Sequence, residues 1–184
     1  MARLKEEYNS KIKAELMKEG GYANTHEVPN FVKISVNSGV GEATTNKHAV
    51  EEVVEILEQI TGQKPVINKA RLSVSSFKLR EGMEVGVSVT LRGDRMWEFL
   101  DKMVNVVFPR TKDFRGVSAK SFDGSGNYSL GFDDHTVFPE IDTSKVSKLR
   151  HLQVTIVTSS RDDAGAKMLL DKFGFPFKQD GKKE

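Results

Sequence analysis

EVGVSVTLR, residues 84–92, alternates apolar and polar side chains with a period of two. One side carries Val85, Val87, Val89 and Leu91, and the other carries Gly86, Ser88, Thr90 and Arg92. Such alternation predicts a strand that is buried on one face only. The second face is too polar for another hydrophobic layer and carries a single charge, which leaves it free for a polar partner.

Three further segments predict strands of the same sheet. Residues 31–37 alternate in the same way, with the apolar side chains Val32, Ile34 and Val36 between the polar side chains Lys33, Ser35 and Asn37. Residues 151–158 repeat the pattern, with Leu152, Val154 and Ile156 on the apolar side. Residues 63–69 suit a short strand near a sheet edge, because Pro65 cannot donate to a hydrogen-bond ladder.

Helical spacing fills the gaps between these strands. Apolar side chains recur every three or four residues in four stretches, residues 4–16, 50–60, 97–107 and 164–169. The order is helix, strand, helix, strand, strand, helix, strand, helix, and its middle is a split βαββαβ unit. The sequence therefore predicts an α+β fold with an antiparallel sheet, helices on one face, an open polar face, and added N-terminal and C-terminal helices.

Size and composition favour one domain. The chain has 184 residues, of which 38% are hydrophobic, and this is enough for one sizeable core. Between residues 110 and 150 no helical or strand period persists, and glycines and a proline interrupt the segment. We therefore expect a single domain over residues 1–184 with a long, loop-rich insertion at 110–150.

Two absences from the sequence restrict the class of protein. There is no cysteine, which excludes disulfides and cysteine nucleophiles and is typical of a reducing compartment. There is also no secretory signal and no apolar run of membrane length. The expected location is the cytoplasm, with no membrane partner.

The positive charge is concentrated in the middle of the chain. Residues 61–120 contain twelve basic and six acidic side chains, a net charge of +6 in a chain whose total is +2. The segment ARLSVSSFKLREGM, residues 70–83, holds the cations Arg71, Lys78 and Arg80, with Phe77 and Leu79 as its bulky apolar anchors. It predicts a mobile, cationic loop, although a run of charge is more often only a solvated surface.

The polar side of the predicted sheet suits the backbone of a nucleic acid. Phosphates are bound by basic side chains together with neutral hydroxyl and amide donors, and this side supplies both kinds. It has no aromatic side chain on which single-stranded bases would stack, so folded RNA recognised by its shape is the expected partner. A sheet with one hydrated face shows the same alternation, and that interpretation stays open.

Catalytic interpretations have weaker support. The turn GVGEAT, residues 39–44, lies between a strand and a helix like a phosphate-binding loop, but Thr44 stands where the dinucleotide fingerprint requires a third glycine. An acidic cluster could supply carboxylates to a divalent cation, at a spacing that matches no known metal loop: Asp133, Asp134, His135, Glu140 and Asp142. We expect no catalytic residue, no metal and no cofactor. A mononucleotide-binding enzyme and a protein-only interaction module remain the alternatives.

Three ordered motifs carry a resemblance to a known family. They are LEQITGQKPVINKARLSVSSFKLREGMEVGVSVTLRG at residues 57–93, FPRTKDFRG at 108–116 and FDGSGNYSLGFDDHTVFPEID at 122–142. Over essentially its full length the sequence resembles the 5S-rRNA-binding proteins of the bacterial large ribosomal subunit, the fifth family in their naming series. The resemblance implies an α+β fold, a structural and non-enzymatic role, and a place in the central protuberance of the ribosome.

The polar face and the resemblance together give two groups of site residues. The expected rRNA-binding residues are Lys33, Ser35, Asn37, Gly39, Gln63, Ser88, Thr90 and Arg92. The expected tRNA-contacting residues are Arg71, Ser73, Ser75, Ser76, Phe77, Lys78 and Arg80. The implied partners are 5S rRNA, 23S rRNA, peptidyl-site tRNA and neighbouring ribosomal proteins, including a small-subunit protein at an intersubunit bridge.

Three residues depart from the pattern of the family. Asn68 stands where Ser or Thr is expected, Ser125 where the glycine loop usually has Arg, and His135 where Gln is usual. The absence of an arginine at position 125 removes a contact to a phosphate or a partner. The bridge therefore has less support than the binding of 5S rRNA.

Overall fold

The structure is a computed structural model that describes residues 2–178 except 45, 47, 113 and 147. In these residues there are five strands, β1 (Phe31–Gly39), β2 (Val66–Lys69), β3 (Glu84–Leu91), β4 (Tyr128–Phe132) and β5 (Leu152–Thr158). The α-helices are α1 (Arg3–Glu7), α2 (Lys13–Glu19), α3 (His48–Thr61), α4 (Gly93–Lys102), α5 (Phe108–Arg110) and α6 (Asp163–Lys172). None of the helices in the described ranges could span a lipid bilayer.

The five strands form one sheet in the order β2-β3-β1-β5-β4. β2 and β3 are an antiparallel pair in which Val66 lies opposite Ser88 and Asn68 lies opposite Gly86. Helix α3 connects β1 to β2, and β3 lies between these two strands, which is the arrangement of a split βαββαβ unit. The predicted α+β fold with an antiparallel sheet is confirmed.

Strand β4 was missing from the sequence-based prediction. It lies within the expected insertion at 110–150 and is the outer neighbour of β5 in the sheet. Its buried side chains are Tyr128, Leu130 and Phe132, at 1%, 9% and 6% exposure. The alternation spans only five residues, and Gly131 lies within it, so the period was too short to stand out against the surrounding turns.

The chain divides into two compact units. The first contains the described residues of Met1–Ile34, Arg92–Leu130 and Thr155–Glu184, and the second contains those of Ser35–Leu91 and Gly131–Val154. The single domain expected from the sequence remains a prediction.

The first unit is built around four aromatic side chains. Tyr8, Phe31, Trp97 and Phe173 are at most 6% exposed, and the ring centroids of five of their pairs lie 5.1 to 6.2 Å apart. Burial raises the pKa of Tyr8 to about 12, and its hydroxyl donates a hydrogen bond to the Pro29 carbonyl at 2.9 Å. Aromatic rings at these distances add to the stabilisation that comes from burial alone.

The same cluster corrects the register expected for the start of β1. Val32 was predicted on the apolar side of the strand, yet it is 43% exposed, while Phe31 is 4% exposed. The reason is that the ring of Phe31 packs edge-on against Trp97 and Phe173. The larger apolar side chain therefore takes the buried position, and regular alternation begins at Ile34.

In the second unit, helix α3 packs against β3. Its buried side chains are Ala49, Val50, Val53, Leu57 and Ile60, which recur at helical spacing. The helix ends before Gly62, whose φ of +64° lies in the left-handed region that favours glycine. This packing covers the apolar side of β3, and the polar side of the strand faces away from α3.

Candidate nucleic-acid interface

The polar surface of the sheet is best defined on β3. The buried side chains are Val87, Val89 and Leu91, which are at most 5% exposed. Between them, Ser88 is half-buried and Thr90 is exposed. Val85 is only half-buried, so the apolar row is complete from Val87 onward. The burial predicted from alternation is confirmed for this part of the strand.

β1 supplies a second polar row. Ile34 and Val36 are completely buried, Ser35 and Asn37 are half-buried, and Gly39 is exposed. The backbone N–H of Val40, just after the strand, donates to the carbonyl of Val85 at 2.9 Å. Continuing the antiparallel ladder from that bond, we infer that Asn37 lies beside Ser88 and Ser35 beside Thr90. These four side chains form the polar patch of the second unit.

β2 extends this patch through one side-chain pair. Nδ2 of Asn68 donates to Oγ of Ser88 at 3.0 Å, and the Ser88 hydroxyl lies 3.4 Å from Oδ1 of Asn68. Val66, two residues earlier on β2, is 65% exposed. The expected edge position of this strand is confirmed, because β2 pairs only with β3 in the strand order.

Gln63 lies outside the strands. It follows the end of α3, where its backbone N–H lies 3.4 Å from the hydroxyl of Thr61, and it is half-buried. The structure therefore places it in the connection between α3 and β2, and its part in binding RNA stays a prediction.

Lys33 and Arg92 belong to the first unit. Lys33 precedes Ser35 by two residues on β1 and is half-buried, while Arg92 follows Thr90 by two residues and is exposed at the start of α4. In the sequence, each thus lies two residues from a member of the polar patch. Among the residues that the structure describes, neither side chain has an ion-pair partner, so both charges are available to a ligand.

Residues 70–83 form the end of the hairpin between β2 and β3. Ala70 donates to the Met83 carbonyl at 2.8 Å, and farther out Val74 and Leu79 exchange two backbone hydrogen bonds of 2.9 and 3.1 Å. A 3₁₀ turn, Ser75–Phe77, closes the tip. The segment predicted as a loop is therefore a hydrogen-bonded extension of the hairpin, and its mobility stays a prediction.

The tip presents cations next to apolar side chains. The expected tRNA-contacting residues Arg71, Ser73, Ser75, Ser76, Phe77, Lys78 and Arg80 are all exposed. Phe77 is 74% exposed and Leu72 is 75% exposed, so the expectation that Phe77 anchors the loop is wrong. A two-stranded ribbon has no core of its own to receive the ring. Leu72 is an apolar surface residue that the sequence analysis missed, since its loop shows no period.

A further cluster around Arg150 was also missed. Its guanidinium, in a side chain 11% exposed, lies 3.1 Å from Oε2 of Glu52 and 3.4 Å from Oε2 of Glu42. The Lys148 ammonium is hydrogen-bonded to Glu42 and holds the pKa of that carboxyl below its usual range. The four side chains are far apart in the sequence, so no spacing could have revealed them.

The backbone N–H of Arg150 donates to Nδ1 of His135 at 3.1 Å. The His135 ring is completely buried, and this burial lowers its pKa, although nearby Asp134 acts in the opposite direction. An Nδ1 that accepts a hydrogen bond belongs to a neutral imidazole. His135 is thus part of the protein interior.

The acidic segment has structural roles. Asp134 accepts from the backbone N–H of Thr136 at 2.7 Å, and Asp142 accepts from that of Ser144 at 3.1 Å, so each begins a 3₁₀ turn. In the part of the chain that the structure describes, no three side chains of suitable type could hold a metal ion. The turn GVGEAT forms a 3₁₀ helix, Gly41–Thr44, that ends before α3 begins.

Comparisons with known proteins agree over nearly the whole chain. A family model described as Ribosomal protein L5 matches residues 24–80, and a second model, described as the C-terminus of the same ribosomal family, matches residues 84–177. Three relatives named Large ribosomal subunit protein uL5 come from Anaeromyxobacter sp. (strain K) and from Anaeromyxobacter dehalogenans strains 2CP-1 and 2CP-C. Each is 51% identical over 178 residues, which cover 97% of this chain and 99% of the relative.

Proposed function

The chain belongs to the ribosomal protein L5 family of the large ribosomal subunit, and from this membership we propose that its polar sheet face binds 5S rRNA. Proteins of this family are structural components of the ribosome, so the chain is an RNA-binding protein of translation and not an enzyme. It works on the ribosome in the bacterial cytoplasm, in association with rRNA and other ribosomal proteins. The particular RNA and protein partners are our proposals.

The observation that carries the 5S rRNA proposal is the one-sided burial of β1 and β3. Hydroxyl and amide side chains of these strands stay accessible at Ser35, Asn37, Ser88 and Thr90. Lys33 and Arg92, each two residues from a member of this patch in the sequence, have no ion-pair partner among the described residues. Neutral donors together with unpaired cations are what a phosphate backbone requires.

The absence of aromatic side chains from these two rows indicates the type of RNA that they bind. Positions 33, 35, 37 and 39 of β1 and 86, 88, 90 and 92 of β3 hold no aromatic side chain. Stacking of unpaired bases on aromatic rings is therefore excluded on these rows, which favours contacts to the backbone of a folded helix. A helical arm of 5S rRNA fits this requirement.

A gel-shift titration of 5S rRNA at several salt concentrations tests the proposal. Arg92→Ala should weaken binding about fivefold, and the slope of log affinity against log salt should fall by about one unit. Arg95→Ala is the matched control, because Arg95 is an exposed arginine of helix α4. Equal effects of the two substitutions, or an affinity of the wild-type protein that does not depend on salt, would contradict the proposal.

We also propose that the hairpin tip contacts peptidyl-site tRNA. Lys78 and Arg80 are exposed at the end of a ribbon whose backbone is hydrogen-bonded, so their charges are held away from the sheet. Ribosomes carrying Lys78→Gln and Arg80→Gln should retain this tRNA about fivefold less well in filter binding, with 5S rRNA affinity unchanged. Lys11→Gln with Lys18→Gln serves as the control. A loss of 5S rRNA affinity instead would assign the tip to the 5S surface.

The remaining partners are 23S rRNA and a small-subunit protein at an intersubunit bridge. The glycine loop around Ser125 is held in place, because the backbone N–H groups of Gly124 and Gly126 donate to the carboxylate of Asp163 at 3.2 and 3.0 Å. With Ser125 in place of arginine, the loop offers a hydroxyl and no charge. Any bridge contact at this position is therefore neutral, and Ser125→Arg should strengthen the association of the two subunits.

A further inference from the structure

The side-chain pair of Asn68 and Ser88 has an unusual setting on the polar patch. Asn68 lies opposite Gly86, so it has no side chain directly across from it. Its amide instead reaches diagonally to the hydroxyl of Ser88, at 3.0 Å. Val66, the residue opposite Ser88, is apolar and does not compete for that hydroxyl.

The glycine opposite Asn68 lies close to the backbone at the end of β1. Gly86 is buried, and a Cβ atom added there would lie 3.1 Å from the carbonyl oxygen of Ser38. Nine in ten real Cβ contacts are longer than this. Close packing of β3 against the end of β1 therefore disfavours a side chain at this position. The pair of Asn68 and Ser88 follows from the register of the hairpin.

After the bond between them is made, the pair still has unused hydrogen-bonding groups. An amide has two N–H donors and one oxygen acceptor, and a hydroxyl has one donor and two lone pairs. One N–H of Asn68 is given to Ser88, and the Ser88 hydroxyl donates to Oδ1 of Asn68 at 3.4 Å. The second N–H of the amide and the second lone pair of its oxygen remain. Asn68 is exposed, so a ligand can reach them.

This combination distinguishes between the two parts of an RNA backbone. A phosphate only accepts hydrogen bonds, and the unpaired cations of the sheet suit it better. A ribose 2′-hydroxyl both donates and accepts, and it is the group by which a protein tells RNA from DNA. An exposed amide with a free N–H, beside an oxygen that keeps one free lone pair, can satisfy both functions of one hydroxyl.

We propose that the Asn68–Ser88 pair binds a ribose 2′-hydroxyl of the RNA and thereby selects RNA over DNA on this face, an inference that rests on the proposed function of the face. Asn68 contacts the ribose, and Ser88 positions its amide. A pair that only stabilises the hairpin would contribute to folding and would have no effect on the recognition of sugars.

The test is 2′-deoxy interference mapping with the full-length protein. Copies of 5S rRNA that carry random 2′-deoxynucleotides are separated into bound and free fractions, and positions depleted of deoxynucleotides in the bound fraction mark required hydroxyls. We expect the wild-type protein to show such a position that disappears in Asn68→Ala and weakens in Ser88→Ala. Overall affinity should fall about five- to tenfold.

Arg92→Ala is the matched control, because it should weaken binding while keeping every interference position of the wild type. Circular dichroism shows whether each variant is folded, and Ser88→Ala remains informative if Asn68→Ala is not. An unchanged interference pattern in the folded Asn68→Ala and Ser88→Ala variants would overturn the inference. Failure of the wild-type protein to bind 5S rRNA would instead overturn the proposed function.

Discussion

The two compact units differ in the side chains that they bury and expose. The first unit has the aromatic cluster of Tyr8, Phe31, Trp97 and Phe173, all at most 6% exposed. The second has a sheet with one polar side, the Arg150 ion-pair cluster, and a hairpin whose tip leaves Leu72 and Phe77 about three-quarters exposed. The first unit thus buries its large aromatic side chains together, and the second combines a buried apolar core with accessible polar and apolar groups.

The difference shows how one chain can be both a stable protein and a binding surface. Apolar side chains at a hairpin tip and hydroxyls on an uncovered sheet contribute little to the folded state by themselves. They are tolerated only where other parts of the chain bury enough apolar area. Substitutions in the two units should therefore have separable effects on the stability of the protein and on its binding surfaces.

The largest effect should come from Val89→Asp on β3. Val89 is 5% exposed, and an unpaired carboxylate at this position would lose its hydration without gaining a partner. We expect loss of more than about 4 kcal/mol of unfolding free energy, enough to unfold the protein. Circular dichroism measures it. Thr90→Val, one residue away on the exposed side, should leave the spectrum unchanged. The reverse pattern would show that the buried and exposed faces of the sheet are assigned the wrong way round.

Trp97→Ala should have the next largest effect. The ring is 4% exposed and contacts three other aromatic rings, so its removal leaves a cavity in the first unit. The expected loss is about 3–5 kcal/mol in urea denaturation. Phe77→Ala removes an aromatic ring of the second unit that is 74% exposed, and it should change stability by less than about 0.5 kcal/mol. Similar losses for both variants would remove the contrast between the units.

Much of this contrast could be predicted from the sequence, because alternation reports burial. The period-two pattern at Val87, Val89 and Leu91 predicts the buried side of β3, since a strand in a one-sided sheet has no other way to hide three apolar side chains. The order of the elements predicts the split βαββαβ unit, because each element is recognised from its own local period. Local patterns of this kind are set by residues that are close together in the chain.

Other features depend on residues that are far apart in the sequence. Phe31 is buried at the start of β1 in place of Val32, because Trp97 and Phe173 supply aromatic contacts that no local pattern records. Strand β4 was too short to recognise. The pair of Asn68 and Ser88 depends on the register of the hairpin, which the sequence alone did not give. The RNA contacts themselves remain predictions.

Arg150→Met should have an intermediate effect within the second unit. It removes the charge-assisted hydrogen bond to Glu52 at 3.1 Å from a side chain that is 11% exposed, while methionine preserves part of the packing volume. We expect a loss of about 1–2 kcal/mol in urea denaturation, reduced because the Glu52 carboxylate is partly hydrated. Arg95→Met, at an exposed arginine of the first unit, is the control. A loss of unfolding free energy as large as that of Trp97→Ala would show that the Arg150 ion-pair cluster stabilises the protein as much as the aromatic cluster does.

The smallest effect should be a pH dependence at His135. Its ring is completely buried and accepts the backbone N–H of Arg150, so burial lowers its pKa from the ordinary value of 6.5. On acidification the unfolded chain takes up this proton before the folded protein does. The contribution of His135 to stability is therefore present above about pH 6.5 and is lost as the pH falls below it, with a slope of at most about 1.4 kcal/mol per pH unit.

Urea denaturation at intervals between about pH 7 and pH 5 measures this slope, in a range where carboxylates of lowered pKa such as Glu42 stay ionised in the folded protein. The His135→Gln variant has no titrating group at this position, and its amide oxygen can still accept the N–H of Arg150. Its stability should therefore vary less with pH than that of the wild type, whereas the exposed His26→Gln variant should retain the wild-type slope. If His135→Gln kept the full slope, the acid sensitivity would belong to another group, and the buried histidine would not distinguish the second unit from the first.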